Sequence, residues 1–218
     1  MSAENYKGKI LDLDRNHWVN DLSYLKNLYL DTLKEVCTYR YSDVLGYGES
    51  VFNQAEKWLN ETDFFTAPAS TKFHESHPGG LVLHHLKVYN EMVELYELPK
   101  FHSVNFASAA LVALIHDWCK IQLYTTYQRN VKDENGQWHS KTEYKYDSPK
   151  FPLGHGVSSM FLGERFFKIK MEECIAIRWH IGRWYCSESE LTDLQIACET
   201  YPLVHMLQFA DQLAITNY

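Results

Sequence analysis

Four apolar stretches of this 218-residue chain carry a histidine or aspartate that an apolar helix does not ordinarily hold. The sharpest case is "AALVALIHDWCK", where Leu111 to Ile115 run straight into His116-Asp117. Burying an imidazole beside a carboxylate is costly unless each finds a partner. Neighbours on an α-helix point roughly 100° apart, so neither readily satisfies the other. Two readings are open for the pair alone: partners among tyrosines, backbone and water, or a metal ion held between helices.

Three further anomalies share this character. "GGLVLHHLKVYNEMV" sets His84 and His85 early in a helix whose other face carries Leu81, Val88 and Met92. "ECIAIRWHIGRW" places His180 at the end of an apolar helix, and "PLVHMLQFADQLAI" sets Asp211 among Phe209, Ala210, Leu213, Ala214 and Ile215. A lone histidine of this kind is more often a satisfied core residue than a ligand. An uncompensated carboxylate on an apolar face is harder to dismiss. Four helices each delivering His or Asp inward is how bundles build metal sites, so the joint pattern outweighs any member. His155, between two glycines in "PLGHGVSSMF", reads alone as a turn residue; beside such a cluster it becomes a candidate ligand at a helix N-terminus. Cys119 has no neighbour that marks its thiol as activated and reads as a small core residue. His17, His102 and His139 lie in polar contexts and read as solvated. No G-x-S-x-G elbow, Walker A loop, G-x-G-x-x-G fingerprint or H-E-x-x-H motif occurs.

The elements that must position these groups are mostly helical. In 20–37, Leu22, Leu25, Leu28 or Tyr29, Leu33 and Val36 fall near one face, and 50–60 predicts a second short helix. "NETDFFTAPASTKFHESHPGG" reads as a long irregular loop, a candidate wall for a site. Helical periodicity then covers 81–97, 104–123, about 156–168, 171–181 and 200–215. Asn135-Gly136, flanked by Tyr/Thr/Val-rich alternating segments, predicts a hairpin at about 124–147. The expected fold is all-α with one inserted β-hairpin.

The bulk composition bounds the partners. Lys plus Arg number 21 against 28 Asp plus Glu, a formal charge of −7, which argues against binding duplex nucleic acid or an anionic membrane. The most apolar stretches fall far below transmembrane length, and the first residues lack the apolar core of a signal peptide. Five cysteines (Cys37, Cys119, Cys174, Cys186 and Cys198) include no C-x-x-C pair, so a reduced cytoplasmic protein is expected and a zinc ribbon is not.

The ordered set His84, His116-Asp117 and Asp211 resembles the HD superfamily of metal-dependent phosphohydrolases, all-helical proteins named for that dipeptide. "GGLVLH" at 79–84 is similar to the G-G-L-x-x-H that opens the HD region of the YhaM-like exoribonuclease branch, and "HDWCK" to H-D-x-x-K. "GHG", "IRWHIG" and "ADQLA" resemble later blocks of bacterial and phage HD-domain proteins. The resemblance runs from about residue 64 to the last residue and implies one HD domain over 1–218: a helical extension in 1–63 and an HD core in 64–218. It implies metal ligation by His84, His116, Asp117 and Asp211, with His155 and His180 completing a dinuclear centre that Asp117 bridges. His85 rivals His84, and the spacing from Gly79-Gly80 favours His84. Lys120 matches a lysine that faces a substrate phosphate. There is no G-Y-P signature after the HD block, which disfavours a cyclic di-GMP phosphodiesterase, and no room for an RNA-binding OB domain.

The implied activity is hydrolysis of a phosphoester on a small, nucleotide-like substrate by a metal-activated water, with Asp117 and Lys120 at its centre. Mixed imidazole and carboxylate ligands suit one or two ions of Mn, Fe, Co, Ni or Zn. Lys120, Arg129 and Arg178 are the candidate phosphate-binding cations, Arg178 ranking low because it lies on a different helical face from His180. The hairpin tyrosines (124, 127, 144 and 146) and Trp138 read either as a lid over a base or as cross-strand pairs. Two alternatives share the same ligands: a di-iron oxygenase of the HD fold, and a non-catalytic regulatory protein that keeps a metal. No oligomeric state is implied.

Overall fold

The computed structural model describes residues 8–13 and 21–216; His17 lies outside them. Among the described residues the chain is mostly helical with one two-stranded antiparallel sheet. The α-helices are α1 (Leu22–Arg40), α2 (Tyr47–Asn60), α3 (Gly80–Tyr96), α4 (Phe106–Ile115), α5 (His155–Glu164), α6 (Met171–Trp179), α7 (Glu190–Thr200) and α8 (Pro202–Thr216). The strands β1 (Tyr124–Lys132) and β2 (Trp138–Tyr146) lie between α4 and α5. No helix among the described residues is long and apolar enough to cross a membrane.

Helix α4 is the axis of the molecule. All ten of its residues are buried, as expected of a helix that is apolar all round. Helices α1, α3, α5, α6 and α8 pack around it. Leu111 and Leu114 are fully buried, each worth on the order of 1.5–3 kcal/mol of transfer free energy. Helix α1 belongs to the same continuous core through Leu25, Tyr29, Leu33 and Val36. A buried ion pair, Arg40 Nη1 2.5 Å from Glu173 Oε1, ties α1 to α6.

Helix α4 stops at Ile115, short of the expected 104–123. The Tyr29 hydroxyl donates to the Leu114 carbonyl at 2.6 Å, satisfying a terminal group that a longer helix would use. Asp117 then leaves the helical region (φ −110°, ψ 19°), a 3₁₀ turn covers Trp118–Lys120, and the Asp63 carboxylate accepts from Gln122 N at 2.7 Å. Because the helix breaks between them, His116 and Asp117 face the same side rather than diverging. Helix α5 likewise ends at Glu164 rather than about 168, its last turn closed by Phe166 and Phe167 N–H groups on the Gly163 carbonyl. Helix α7 was not expected. Only Leu194 and Ala197 are buried in it, so it has no apolar stripe to read.

The hairpin lies largely outside the core. Tyr124 pairs with Tyr146 and Lys132 with Trp138 in an unbroken register. Asn135-Gly136 sits in a five-residue connection, 133–137, wider than the two-residue turn that dipeptide usually signals. The Asp133 carboxylate accepts from Asn135 N (2.9 Å) and Gln137 N (2.8 Å), and Gly136 takes the left-handed φ of +81°.

Candidate metal centre

Five helices and the turn after α4 meet at one point. His84 is in the second turn of α3, His116 caps α4, Asp117 opens the following turn, His155 begins α5, His180 caps α6 and Asp211 lies on α8. Two glycines make this convergence sterically possible. A Cβ on Gly156 would come within 2.5 Å of the Ile177 carbonyl, so only glycine lets the start of α5 press on the end of α6. A Cβ on Gly80 would sit 1.9 Å from the Glu75 carbonyl, so the start of α3 is packed directly under the 61–79 loop.

The Asp117 carboxylate is the centre of the cluster. Its Oδ1 lies 2.5 Å from His155 Nε2 and 3.4 Å from His180 Nε2. Its Oδ2 lies 3.6 Å from both His84 Nε2 and His116 Nε2, and 2.6 Å from Lys120 Nζ. Asp211 Oδ1 closes the second set at 3.1 Å from His84 Nε2 and 3.7 Å from His116 Nε2. Three of the four histidines have their other ring nitrogen engaged. His116 Nδ1 donates to the Ala113 carbonyl (2.9 Å) and His180 Nδ1 to the Ile177 carbonyl (2.7 Å). His155 Nδ1 meets Cys119 Sγ at 3.4 Å, and Cys119 is itself held by Ser159 Oγ.

These partners settle the tautomers of His116 and His180: with Nδ1 protonated, Nε2 is a bare lone pair. The His116 lone pair lies 3.3 Å from His84 Nε2, while His84 Nδ1 is buried without a partner. An orphaned buried imidazole nitrogen and lone pairs converging with carboxylates are arrangements that a cation stabilises. Atoms that share a transition metal at 2.0–2.2 Å lie roughly 3.0–3.5 Å apart. His84 lies at that spacing from Asp211 (3.1 Å) and from His116 (3.3 Å). The contacts of Asp117 Oδ2 with both histidines and of His116 with Asp211, at 3.6 to 3.7 Å, are slightly longer. His155 and Asp117 stand closer, at the distance of a charge-assisted hydrogen bond. The donor set, imidazole with carboxylate, suits a borderline transition metal.

Electrostatics follow from burial and charge. Burial works to raise the Asp117 and Asp211 carboxyls, but the surrounding cations and imidazoles outweigh it. Asp117 is pulled well below the usual carboxylate range chiefly by Lys120, His116 and His155, and Asp211 by His84, His116 and His180. Burial lowers His116 far below a free imidazole and lowers His155, whereas in His180 contact with Asp117 overcomes burial and raises it. Burial would also lower Lys120, but Asp117 reverses the sign.

The remaining expected site residues lie elsewhere or behind. His85 is fully buried among Tyr29, Phe64 and His116, and its Nδ1 donates to the Leu81 carbonyl at 2.8 Å. Burial pushes it down to about 3, and it belongs to none of the groups whose donor atoms converge. Arg129 is exposed on β1 and pairs with Glu143 at 3.4 Å. Arg178 stacks on Trp179 and pairs with Glu190. Neither arginine is brought to the cluster by these contacts. His102 and His139 are exposed.

One residue that sequence reasoning missed faces this site. His74, in the 61–79 loop, places its ring 5.1 Å from that of His84, with Nε2 buried and unpartnered. Burial lowers it to about 4. Its sequence signal, a histidine just before "HPGG", carries no periodicity, and a missing partner is visible only in three dimensions. Comparison of the chain with protein-family models, curated proteins and solved structures finds no match.

Proposed function

We propose that the chain is a metal-dependent phosphohydrolase of the HD type, acting on a small, nucleotide-like phosphoester. The helical bundle with its inserted hairpin would then be one HD domain. The observation that supports this most is the division of one buried carboxylate: Asp117 Oδ1 faces His155 and His180, and Oδ2 faces His84 and His116. A carboxylate shared in this way is suited to bridge two cations. His84, His116 and Asp211 would hold one ion and His155 and His180 the other. Such ions supply acidified water as a nucleophile and polarise a phosphoryl oxygen.

The chain's own groups have separate tasks. The backbone carbonyls of Ala113 and Ile177 keep His116 and His180 in the tautomer that presents Nε2. Lys120 is the ammonium of the cluster, only 12% exposed, and is placed to exchange its contact with Asp117 for a phosphoryl oxygen. Five free cysteines agree with a reducing, cytoplasmic setting.

The test is metal analysis of gently purified protein, followed by a screen of nucleotides and phosphodiesters with Mn, Fe, Co, Ni and Zn. Two ions per chain and metal-dependent release of phosphate or a phosphomonoester are expected. One ion in fully loaded protein would remove His155 and His180 from the ligand set. Oxygen consumption by an iron-loaded protein on a polyol or phosphonate would overturn hydrolysis in favour of oxygenation.

A further inference from the structure

The loop over the cluster is held far more tightly than its irregular path requires, and it presents His74. Glu75 adopts φ +46°, a left-handed conformation unfavourable for a side chain with a Cβ. Such residues persist where their surroundings over-determine them, and they concentrate at functional sites. The surroundings here are specific. Lys87, buried on α3, donates to Glu75 Oε1 at 2.5 Å, and His77 Nε2 lies 2.6 Å from Glu75 Oε2. Ala69 N donates to the Glu75 carbonyl at 3.0 Å, and Ser70 Oγ to the His74 carbonyl at 2.8 Å. The Glu75 carbonyl also occupies the space that a Gly80 side chain would need.

With its backbone fixed on both sides, the His74 imidazole is thrust against the outer edge of the cluster. Its Nε2 is buried and makes no hydrogen bond, which is costly in an enclosed position. His74 joins none of the groups whose ligand atoms converge, although Asp117, Asp211 and Lys120 all lie within electrostatic reach. A rigidly presented donor beside a metal cluster, outside the ligand set, is suited to contact what the cluster acts on.

We propose that His74 is a substrate-binding residue whose Nε2–H donates a hydrogen bond to an anionic phosphoryl oxygen, with Glu75, Lys87 and Ser70 as the residues that position it. The inference rests on the phosphohydrolase reading and names the contact that fixes the phosphoryl group. It makes the 61–79 loop part of the substrate site rather than a connection between α2 and α3.

Inorganic phosphate is the probe, titrated calorimetrically into metal-loaded protein, with metal content and thermal unfolding measured on each variant. His74→Phe keeps an aromatic ring and removes the donor; His74→Gln keeps an N–H near the same place. Phosphate affinity is expected to fall roughly ten- to hundredfold in His74→Phe, the range of a hydrogen bond to a charged group. Metal stoichiometry should not change, and His74→Gln should recover most of the affinity. Equal affinity in wild type and His74→Phe overturns the inference, as does a wild type that binds no phosphate. Loss of metal from a folded His74→Phe overturns it too, by making His74 a ligand. Failure of the functional reading looks different: phosphate binds with the expected dependence on His74, yet no phosphoester is cleaved.

Discussion

The His/Asp cluster and the hairpin are both rich in polar and aromatic side chains, yet they solve the same problem in opposite ways. In the hairpin most of the paired groups find their partner on the facing strand, although the Tyr124 hydroxyl donates to the Ala69 carbonyl of the 61–79 loop at 3.2 Å. Tyr124 packs on Tyr146 with ring centroids 5.4 Å apart and tilted by 39°, Tyr127 donates to Glu143 at 2.7 Å, and Gln128 donates to Thr142 at 2.9 Å. In the cluster local contacts satisfy only part of each group. His116 and His180 spend Nδ1 on their own helices, and Asp117 meets Lys120 in its own turn. His116 Nε2, His180 Nε2 and the rest of the Asp117 carboxylate face other elements. Asp117, His116 and His180 are almost fully buried, and their remaining partners arrive from four other elements. Local pairing stabilises a shape; groups kept buried and only mutually paired hold stored capacity for a ligand. The aromatic content of the hairpin is therefore weaker evidence for a substrate lid than its composition suggests.

Removing the shared carboxylate should have the largest effect. Asp117→Asn keeps the shape and one acceptor oxygen but abolishes the charge that both imidazole sets face. We expect the folded variant to lose both metal ions, measured by elemental analysis, and any phosphoesterase activity to fall by about 10³-fold or more. Retention of one ion would mean that Asp117 serves a single set, and the two-sided reading of its oxygens would be wrong.

Much of this contrast could be read from residue types, and the failures have physical causes. His84, His116, Asp117, His180 and Asp211 stood out because each interrupts an apolar run, and the structure brings all five together. His155 could be recognised only with them, because "GHG" alone describes a turn. The end of α4 was illegible because Tyr29, 85 residues away, caps it through the Leu114 carbonyl. Helix α7 was missed because it buries only two side chains. Arg129 and Arg178 were plausible phosphate ligands by charge alone, and charge does not tell which carboxylate an arginine will reach. Glu143 and Glu190 reach them here.

A smaller effect separates the two neighbouring histidines and has a definite pH window. Burial holds His85 at about 3 and His74 at about 4, with His116 also lowered. Below the free-imidazole value near 6.5, the unfolded chain takes up protons that these folded groups refuse, so metal-free protein loses stability as pH falls. His180 and His77, both raised, oppose this trend. Asp117 and Asp211, both lowered, act in the same direction as the buried histidines once the unfolded carboxyls begin to protonate, from about pH 5 downward. The fully buried His85 contributes a slope of up to about 1.4 kcal/mol per pH unit between 6.5 and 4. Urea unfolding of His85→Phe at pH 6.5 and 4.5 should show a shallower loss than wild type, with metal content unchanged. A variant that lost metal would exchange the roles of His84 and His85.

The smallest expected effect lies on the hairpin and bears most directly on its role. Arg129 is about half exposed and meets Glu143 only at 3.4 Å, a surface pair of the kind worth about 1 kcal/mol or less. Five steps along the extended strand separate it from Tyr124 at the base of the hairpin, roughly 16 Å at the rise of a strand. Arg129→Ala should therefore shift unfolding free energy by less than about 1 kcal/mol and leave the KM of whichever phosphoester the screen identifies unchanged. A rise in KM without a change in stability would place the arginine on the substrate. The hairpin would then have to fold over the cluster during turnover, and its cross-strand pairs would be serving to stiffen a moving arm.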